Sequence, residues 1–401
     1  MSLAKTGSLE ALREGNRSRV VETLRREGVI SRAEIARRTG LSRTTVSSLV
    51  TDLLSAGLVT ERAEHDRAAH AGRPPVMISL DQSAGVALGV DFGHSHLRVA
   101  LADLSSEVIG EVEREIDVDH AGSSGLDAAA ELAGDLLAEA GIERGRVIGA
   151  GMGLSGPIDH VTGRAHASAI LPGWIDVEAQ EGMQARLGVP VRLENDANLG
   201  ALAEAAFGAG RGASNLVYLM MSSGIGAGLF LNGRLFRGAV GTAGEMGHTL
   251  VDESGALCRC GNRGCLETFA AGPALAELVS HARGETVSMA RMLELATEGD
   301  AGARRVIGDA GRVTGRALAN LCNQLNPELI VVGGRLAQAG NVLLDPLREG
   351  VRRYAIAAAA DAVSIVPSVL GERAEVLGAL ALVIHQSDPL FATPIHEARI
   401  A

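Results

Sequence analysis

Aromatic side chains and long apolar runs are scarce in this sequence. Phe, Trp and Tyr make up 2% of the 401 residues, so a hydrophobic core has to consist mainly of Ala, Val, Leu and Ile. A membrane-spanning helix needs about 20 consecutive apolar residues, and the sequence contains no run of that length. Residues 1–19 also lack the apolar segment of a secretory signal peptide. These absences predict a soluble, cytoplasmic protein that does not contact a membrane.

Cysteine is equally scarce, and its positions exclude a disulfide framework. Three of the four cysteines, Cys258, Cys260 and Cys265, lie within eight residues, and His248 lies ten residues before the first of them. Three thiolates and one imidazole make the closed tetrahedral ligand set of a structural zinc site. We therefore predict that these four residues bind Zn²⁺, the alternative being three free, buried cysteines. The fourth cysteine, Cys322, lies in an apolar helical pattern and is expected to be a small core residue.

The net charge of −11 is opposite in sign to that of a general nucleic-acid-binding protein. The charge is unevenly distributed, however. Residues 1–81 contain 13 basic and 10 acidic side chains, a net charge of +3, which leaves −14 for the remainder. A chain of 401 residues is also long enough for two or three domains. A mildly basic domain on an acidic body is typical of a protein in which one small module contacts DNA.

The first 81 residues have the pattern of a helix-turn-helix. Apolar spacing predicts a helix over residues 9–27. Ser31 and Glu34 match a capping box, in which Ser31 caps the backbone of a short helix and Glu34 reaches back. That helix is expected to stop at Gly40, and a longer helix follows over residues 43–56. Two short helices joined by a tight turn form the DNA-binding motif.

The second of these helices has small polar side chains at its N-terminus, where a recognition helix contacts base edges and phosphates. Alternating residues at 58–61 and 76–80 predict two strands around a polar wing, with Arg73 as the candidate for a minor-groove contact. A three-helix protein-interaction module is the alternative for this region. The predicted DNA-contacting residues are Arg43, Thr44, Thr45, Ser47, Ser48 and Arg73.

Three glycine-containing turns follow apolar strands in the remainder of the chain. Such turns can present backbone amides to phosphate, and each is a weak signal alone. Three in one chain favour a two-lobed α/β fold with a cleft between the lobes. The candidate residues of these phosphate or nucleotide turns are Asp91, Gly93, Ser95, Ser223, Gly224, Gly226, Gly333 and Gly334.

Several further motifs occur together and carry a resemblance to a known family. They are Glu194-Asn-Asp-Ala-Asn198, Gly224-Ile-Gly-Ala-Gly228, Glu245-Met-Gly-His248 and Cys258-x-Cys-Gly-x-x-Gly-Cys-Leu-Glu267. In this combination the chain resembles the ROK family (repressors, open reading frames and sugar kinases) over nearly its whole length. The resemblance implies an N-terminal winged helix-turn-helix followed by a two-lobed actin-like, sugar-kinase-like α/β domain, with sugar in the cleft between the lobes.

We expect three structural units. The winged helix-turn-helix should occupy residues 1–81 and the first lobe residues 82–205. A C-terminal helix at about 373–401 should complete the first lobe, and residues 206–372 should form the second lobe with the zinc-binding loop.

A buried sugar hydroxyl needs a hydrogen-bond partner, because an unpaired buried polar group costs about 1–3 kcal/mol. The zinc loop should hold several such partners in place. The resemblance implies that sugar hydroxyls bind to Asn195, Asp196, Glu245, His248 and Glu267, and that Asp196 is the general base in the kinases of the family.

The first glycine turn departs from the pattern of the family's kinases. These typically have Asp-x-Gly-Gly-Thr, whereas this chain places His94 where the second glycine would allow backbone to approach phosphate. Ile170 also replaces an Asn that the kinases often carry. We therefore predict a sugar-responsive DNA-binding repressor without kinase activity. The alternatives are a sugar kinase that uses ATP and Mg²⁺ and carries a DNA-binding domain, and a sugar-sensing scaffold.

The predicted partners follow from this interpretation. A helix-turn-helix usually reads DNA as a symmetric pair, so we expect a homodimer or homotetramer on an inverted-repeat operator. The expected effector is a small sugar or a sugar phosphate.

Overall fold

The computed structural model describes residues 6–55, 57–63, 76–81, 84–159, 162–165 and 170–385. The N-terminal head has three helices and a small antiparallel sheet in which β3 lies between β1 and β2. Its elements are α1 (Thr6–Glu27), β1 (Ile30–Ser31), α2 (Arg32–Thr39), α3 (Arg43–Ser55), β2 (Val59–Ala63) and β3 (Val76–Leu80).

The start and end of α2 follow from local chemistry. Ser31 Oγ accepts a hydrogen bond from Glu34 N at 3.2 Å, as the capping box predicts. The predicted return contact of Glu34 is wrong, because its carboxylate instead accepts from Arg38 Nε at 2.9 Å and pairs with Arg37. Gly40 ends the helix in the left-handed conformation, at φ 70°.

The first lobe is built on a five-stranded sheet of order β10-β7-β4-β5-β6, in which β10, β7 and β4 are parallel and the other pairs antiparallel. Helices α4 and α5 cover one face. The elements are β4 (Val86–Phe92), β5 (His96–Asp103), β6 (Val108–Glu115), α4 (Val118–Glu139), β7 (Val147–Leu154), β8 (Ile158–Asp159), β9 (Arg164–Ala165), α5 (Ala179–Leu187), β10 (Val191–Asn195) and α6 (Asp196–Ala206).

The second lobe has a five-stranded sheet of order β13-β12-β11-β14-β15, with β11, β14 and β15 parallel. Its elements are β11 (Leu216–Met221), β12 (Ile225–Leu231), β13 (Arg234–Leu235), α7 (Glu267–Ala270), α8 (Gly272–Arg283), α9 (Met289–Glu298), α10 (Ala301–Leu325), β14 (Leu329–Gly333), α11 (Asn341–Tyr354), α12 (Ala357–Ala362) and β15 (Ser364–Pro367). Short 3₁₀ turns occur at Arg144–Arg146, Pro172–Trp174, Met246–His248, Arg335–Ala339 and Gly371–Arg373.

The last described helix, α13 (Ala374–Ile384), is buried between the two sheets with α6. A Cβ on Gly378 would lie 2.0 Å from the Leu199 carbonyl oxygen of α6, so only glycine allows the two helix backbones to approach this closely. The helix also packs on β4 and β7, in the sheet that we expect the C-terminal segment to complete. The predicted fold class, a winged helix-turn-helix followed by a two-lobed α/β body, is confirmed.

Within the described residues, no helix has both the length and the apolar character needed to cross a lipid bilayer.

Candidate metal centre and interlobe cleft

The four predicted zinc ligands meet in the loop between β13 and α7. Cys258 Sγ lies 3.6 Å from His248 Nδ1, and Cys260 Sγ lies 3.6 Å from Cys265 Sγ. All four ligand atoms are within 4.8 Å of one another. Backbone bridges hold the loop closed, one of them between Leu250 and Cys265.

A zinc ion fits this donor set. Zn–S bonds of about 2.3 Å place tetrahedral ligands about 3.8 Å apart, close to the separations found here. Four protein ligands leave no coordination position for water, so an ion held here would be structural. Cys322 lies elsewhere, buried in the core of the second lobe on α10, as predicted.

His248 connects the metal centre to the cleft between the lobes. Its Nδ1 atom faces the thiols, while its Nε2 atom lies 3.8 Å from Glu245 Oε2. One imidazole ring therefore has its two nitrogens in two different environments, one with thiols and one with carboxylate.

The structure brings all five predicted sugar-binding residues to the wall of one cavity between the lobes. The first lobe contributes Asn195 and Asp196, and the second contributes Glu245, His248 and Glu267.

Asp196 lies at the first position of α6 and is held from two sides. Ser155 Oγ donates to its Oδ2 atom and the Ala197 amide donates to its Oδ1 atom, both at 2.8 Å. Burial raises the pKa of the Asp196 carboxyl. Asn195 caps the same helix through a bond from Asn198 N and donates to the Gly156 carbonyl at 3.0 Å.

The two glutamates differ in how firmly they are held. Glu267 accepts from Arg259 Nε at 2.8 Å and from Ile225 N at 3.2 Å. Burial, followed by the carboxylates of Asp196 and Glu267, raises the pKa of Glu245 to about 7. The carboxyl of Glu245 is therefore easier to protonate than that of an ordinary glutamate.

Histidines occupy the first predicted phosphate turn. Asp91, at the end of β4, accepts from His96 Nε2 at 3.2 Å, and this bond raises the pKa of His96. A Cβ on Gly93 would lie 2.1 Å from His96 Cε1, so the imidazole packs directly against the turn. His94 points into the cavity and pairs with Asp119 at 2.7 Å. Ser95 is exposed.

The other two turns lie together on the second lobe. Ser223 and Gly224 lie between β11 and β12, Gly226 is the second residue of β12, and both glycines line the cavity. Gly333 pairs with Met220 across the parallel strands, and a Cβ on Gly334 would lie 2.5 Å from the Met221 carbonyl oxygen. These two turns therefore meet at the ends of neighbouring strands, while Asp91 belongs to the opposite lobe.

The predicted DNA-contacting side chains of α3 differ in exposure. Arg43, Thr44 and Ser48 are exposed, whereas Thr45 and Ser47 are half-buried. Ser42 Oγ accepts from Thr45 N at 3.1 Å and caps the helix. Arg73 lies outside the described residues.

Sequence reasoning did not single out Ser155 or Arg259, although both line the cavity. Arg259 occupies the variable position between the first two cysteines, where spacing alone gives no signal. Ser155 lies in the segment Gly153-Leu-Ser-Gly-Pro157, which is another motif of the family resemblance, but no role was predicted for the serine itself.

The N-terminal head has the fold of a DNA-binding winged helix. The two α/β lobes and the carboxylate-lined cleft between them have the architecture of a sugar kinase. The chain belongs to the ROK family, whose profile matches residues 87–386. A MarR family profile matches residues 15–69 of the head.

Comparisons with individual proteins support the assignment to this family. The chain is 31% identical to the "Xylose repressor" of Caldicellulosiruptor bescii over 391 residues, covering 94% of this chain and 97% of the relative. The crystal structure of a ROK family transcriptional regulator, a homologue of the E. coli MLC protein, superposes with a TM-score of 0.79 at 26% identity, covering 94% of this chain and 96% of that one. The ROK hexokinase of Thermus thermophilus is 34% identical, with a TM-score of 0.63, over 74% of this chain and 97% of its own.

Proposed function

We propose that the protein is a sugar-responsive transcriptional repressor that binds operator DNA through its winged helix. The observation that carries the proposal is the convergence of five candidate sugar ligands on one cavity, in a chain whose head exposes the N-terminus of a recognition helix. The full-length similarity to a xylose repressor supports the same conclusion.

The cavity offers both donors and acceptors to a sugar. Asp196, Glu245 and Glu267 offer carboxylate acceptors, and the Asn195 amide can both donate and accept. A neutral pentose or hexose presents hydroxyls of both kinds, which makes it the effector that this wall suits best. D-xylose and D-glucose are the first compounds to try.

His248, Cys258, Cys260 and Cys265 would hold a structural zinc ion in this function. When bound, the ion crosslinks the loop that carries Glu245 and leads into Glu267. His248 links the metal centre to the cleft, because its Nδ1 atom faces the metal centre and its Nε2 atom faces Glu245.

A sugar kinase is the second candidate, supported by the buried Asp196 and the similarity to a hexokinase. In that reaction Asp196 would accept a hydroxyl proton, with ATP and Mg²⁺ at the glycine turns. The histidines argue against it, because His96 already occupies the Asp91 carboxylate and packs on Gly93. Sugar-dependent release of ADP from Mg-ATP would establish the kinase.

As a repressor, the protein would bind an inverted repeat as a homodimer or homotetramer. A sugar can change operator affinity only if it binds two conformations of the protein with different affinity. Closure of the two lobes on the sugar is the conformational change that this architecture allows.

The test is an operator-binding titration with and without D-xylose or D-glucose. Asp196→Asn should keep operator affinity within about twofold and lose at least about tenfold in sugar affinity, since a buried charge-assisted contact is worth roughly 1.5–3 kcal/mol. Asp135→Asn, an exposed acid on α4, is the matched control. A wild-type protein that binds sugar while its operator affinity stays constant would contradict the proposal.

A further inference from the structure

Arg25, near the end of α1, connects the head to the body. Its Nε atom donates to the Leu104 carbonyl, after β5, at 3.1 Å. Its Nη2 atom donates to the Ile384 carbonyl, at the end of α13, at 2.7 Å. The side chain is only 10% exposed. One planar guanidinium thus bridges the DNA-binding head and two separate elements of the body.

His385 completes this contact. Arg25 Nη1 lies 3.0 Å from His385 Nδ1, and Glu22 Oε2 lies 3.5 Å from the same nitrogen. Burial, followed by the charge of Arg25, lowers the pKa of His385 well below its ordinary value. The ring is therefore neutral and accepts from Arg25 through Nδ1. Phe207, at the C-terminal end of α6, packs beside it.

The helix α13 runs from this joint into the buried interior between the two sheets. Its first turn contains Glu375, which accepts from Tyr218 Oη of the second lobe at 3.1 Å and lies in the field of Asp91 and Asp196. Its middle contacts α6 backbone to backbone at Gly378 and Leu199, and α6 begins at Asp196. Residues Val376–Ile384 are all buried, so the helix has no solvent-facing side on which to shift independently.

On the head side, Arg25 follows directly on the core of the winged helix. Val20 and Leu24 of α1 are buried against Val46 and Leu49 of α3. A displacement of α1 at Arg25 therefore moves the recognition helix with it, since close-packed interiors transmit displacements rather than absorb them.

We infer that Arg25 is a positioning residue that fixes the head on the end of α13, and that this joint carries the state of the sugar cleft to the recognition helix. The inference rests on the proposed function for its second part. Its first part, the anchoring of the head, holds whatever ligand the cleft takes.

The anchor is tested by hydrogen–deuterium exchange on the full-length, zinc-loaded protein without sugar. Arg25→Ala should speed exchange in the last turn of α13, residues 381–385, and in α1. Arg19→Ala is the matched control, because Arg19 is exposed on the same helix and donates to Asn16 within α1. It should leave both segments unchanged. Unchanged exchange in Arg25→Ala would overturn the inference.

The coupling is tested by operator affinity with and without D-xylose. The wild-type ratio of the two affinities is expected at roughly 5–150, the usual range for coupled sites. Arg25→Ala should bring the ratio close to 1 with D-xylose affinity unchanged, and Arg19→Ala should keep the wild-type ratio. Arg25→Lys keeps the positive charge but loses the planar guanidinium that donates in several directions. It should give a ratio of operator affinities between those of the wild type and Arg25→Ala.

The two hypotheses fail differently. A wild-type ratio of 1 in a protein that binds D-xylose, together with faster exchange in Arg25→Ala, contradicts the proposed function and leaves the anchor standing. A full wild-type ratio that persists in Arg25→Ala overturns the coupling role of Arg25 and leaves the proposed function standing.

Discussion

At the scale of single residues, His248 explains how the candidate metal centre and the interlobe cavity come to lie side by side. Its Nδ1 atom faces Cys258 Sγ at 3.6 Å, and its Nε2 atom faces the cavity, where Glu245 Oε2 lies 3.8 Å away, farther than a hydrogen bond. The spacing of His248 and the cysteines predicted the ligand set, but it could not predict which nitrogen faces which site, because that depends on the ring orientation in the folded loop.

Cys260→Ser should weaken both zinc binding and sugar binding. Loss of one thiolate lowers zinc affinity by more than the roughly 10–100-fold that outer-shell changes cause, and the loop around Glu245 then loosens. Zinc content by mass spectrometry and sugar affinity by calorimetry measure the two effects. Cys322→Ser is the control, because Cys322 lies in a separate part of the second lobe. This variant should bind zinc as the wild type does. Operator binding without sugar should change little, and an equal loss of operator and sugar affinity would count against this assignment.

Glu375 should make stability depend on pH. Burial, with Asp91 next in importance, raises its pKa to about 8 from an ordinary 4.5. The folded state binds the Glu375 proton more tightly than the unfolded state does. The free energy of unfolding is therefore unaffected by this group below about pH 4.5, and it decreases as pH rises toward 8. Glu375→Gln stays neutral and should therefore gain stability relative to wild type as pH rises from 5 to 8. Urea unfolding across that range measures the difference, and parallel curves for the two proteins would refute it.

At the scale of elements, local patterns predicted the head better than the body. The capping serine and Gly40 identify both ends of α2, because these signals lie within the helix and its flanking residues. The return contact of Glu34 was wrong because two arginines in the next turn compete for its carboxylate. The approach of α13 to α6 could not be predicted, since Gly378 and Leu199 are far apart in sequence and glycine has no apolar signal.

Gly378→Ala should destabilise the body. The added methyl would lie 2.0 Å from the Leu199 carbonyl oxygen, so α13 and α6 must separate, at a cost of about 1–3 kcal/mol. Gly134→Ala in α4 is the control, because its methyl meets only the flexible end of Arg144 at 3.1 Å and alanine favours helix by up to about 1 kcal/mol. The free energy of unfolding in urea separates the two variants. Equal stability of Gly378→Ala and wild type would mean that the two helices separate at no cost.

At the scale of the whole molecule, charge is divided between a basic head and an acidic body. The total of −11 repels DNA, so binding depends on the local field at α3 rather than on the overall charge. The same division restricts how the head can lie on DNA, because the body has to stay away from the phosphates.

Arg43→Ala should weaken operator binding and reduce its dependence on salt. Each phosphate contact contributes roughly −0.9 to the slope of log K against log salt concentration, so loss of one exposed contact makes the slope less steep by about 1. If Arg43 contacts a base instead, sequence preference relaxes while the slope stays the same. Arg291→Ala in α9 changes the net charge by the same amount in the body, where Arg291 pairs with Glu294 and Glu298, and should leave the slope unchanged. Equal slopes and equal sequence preference in Arg43→Ala and wild type would show that Arg43 does not contact DNA.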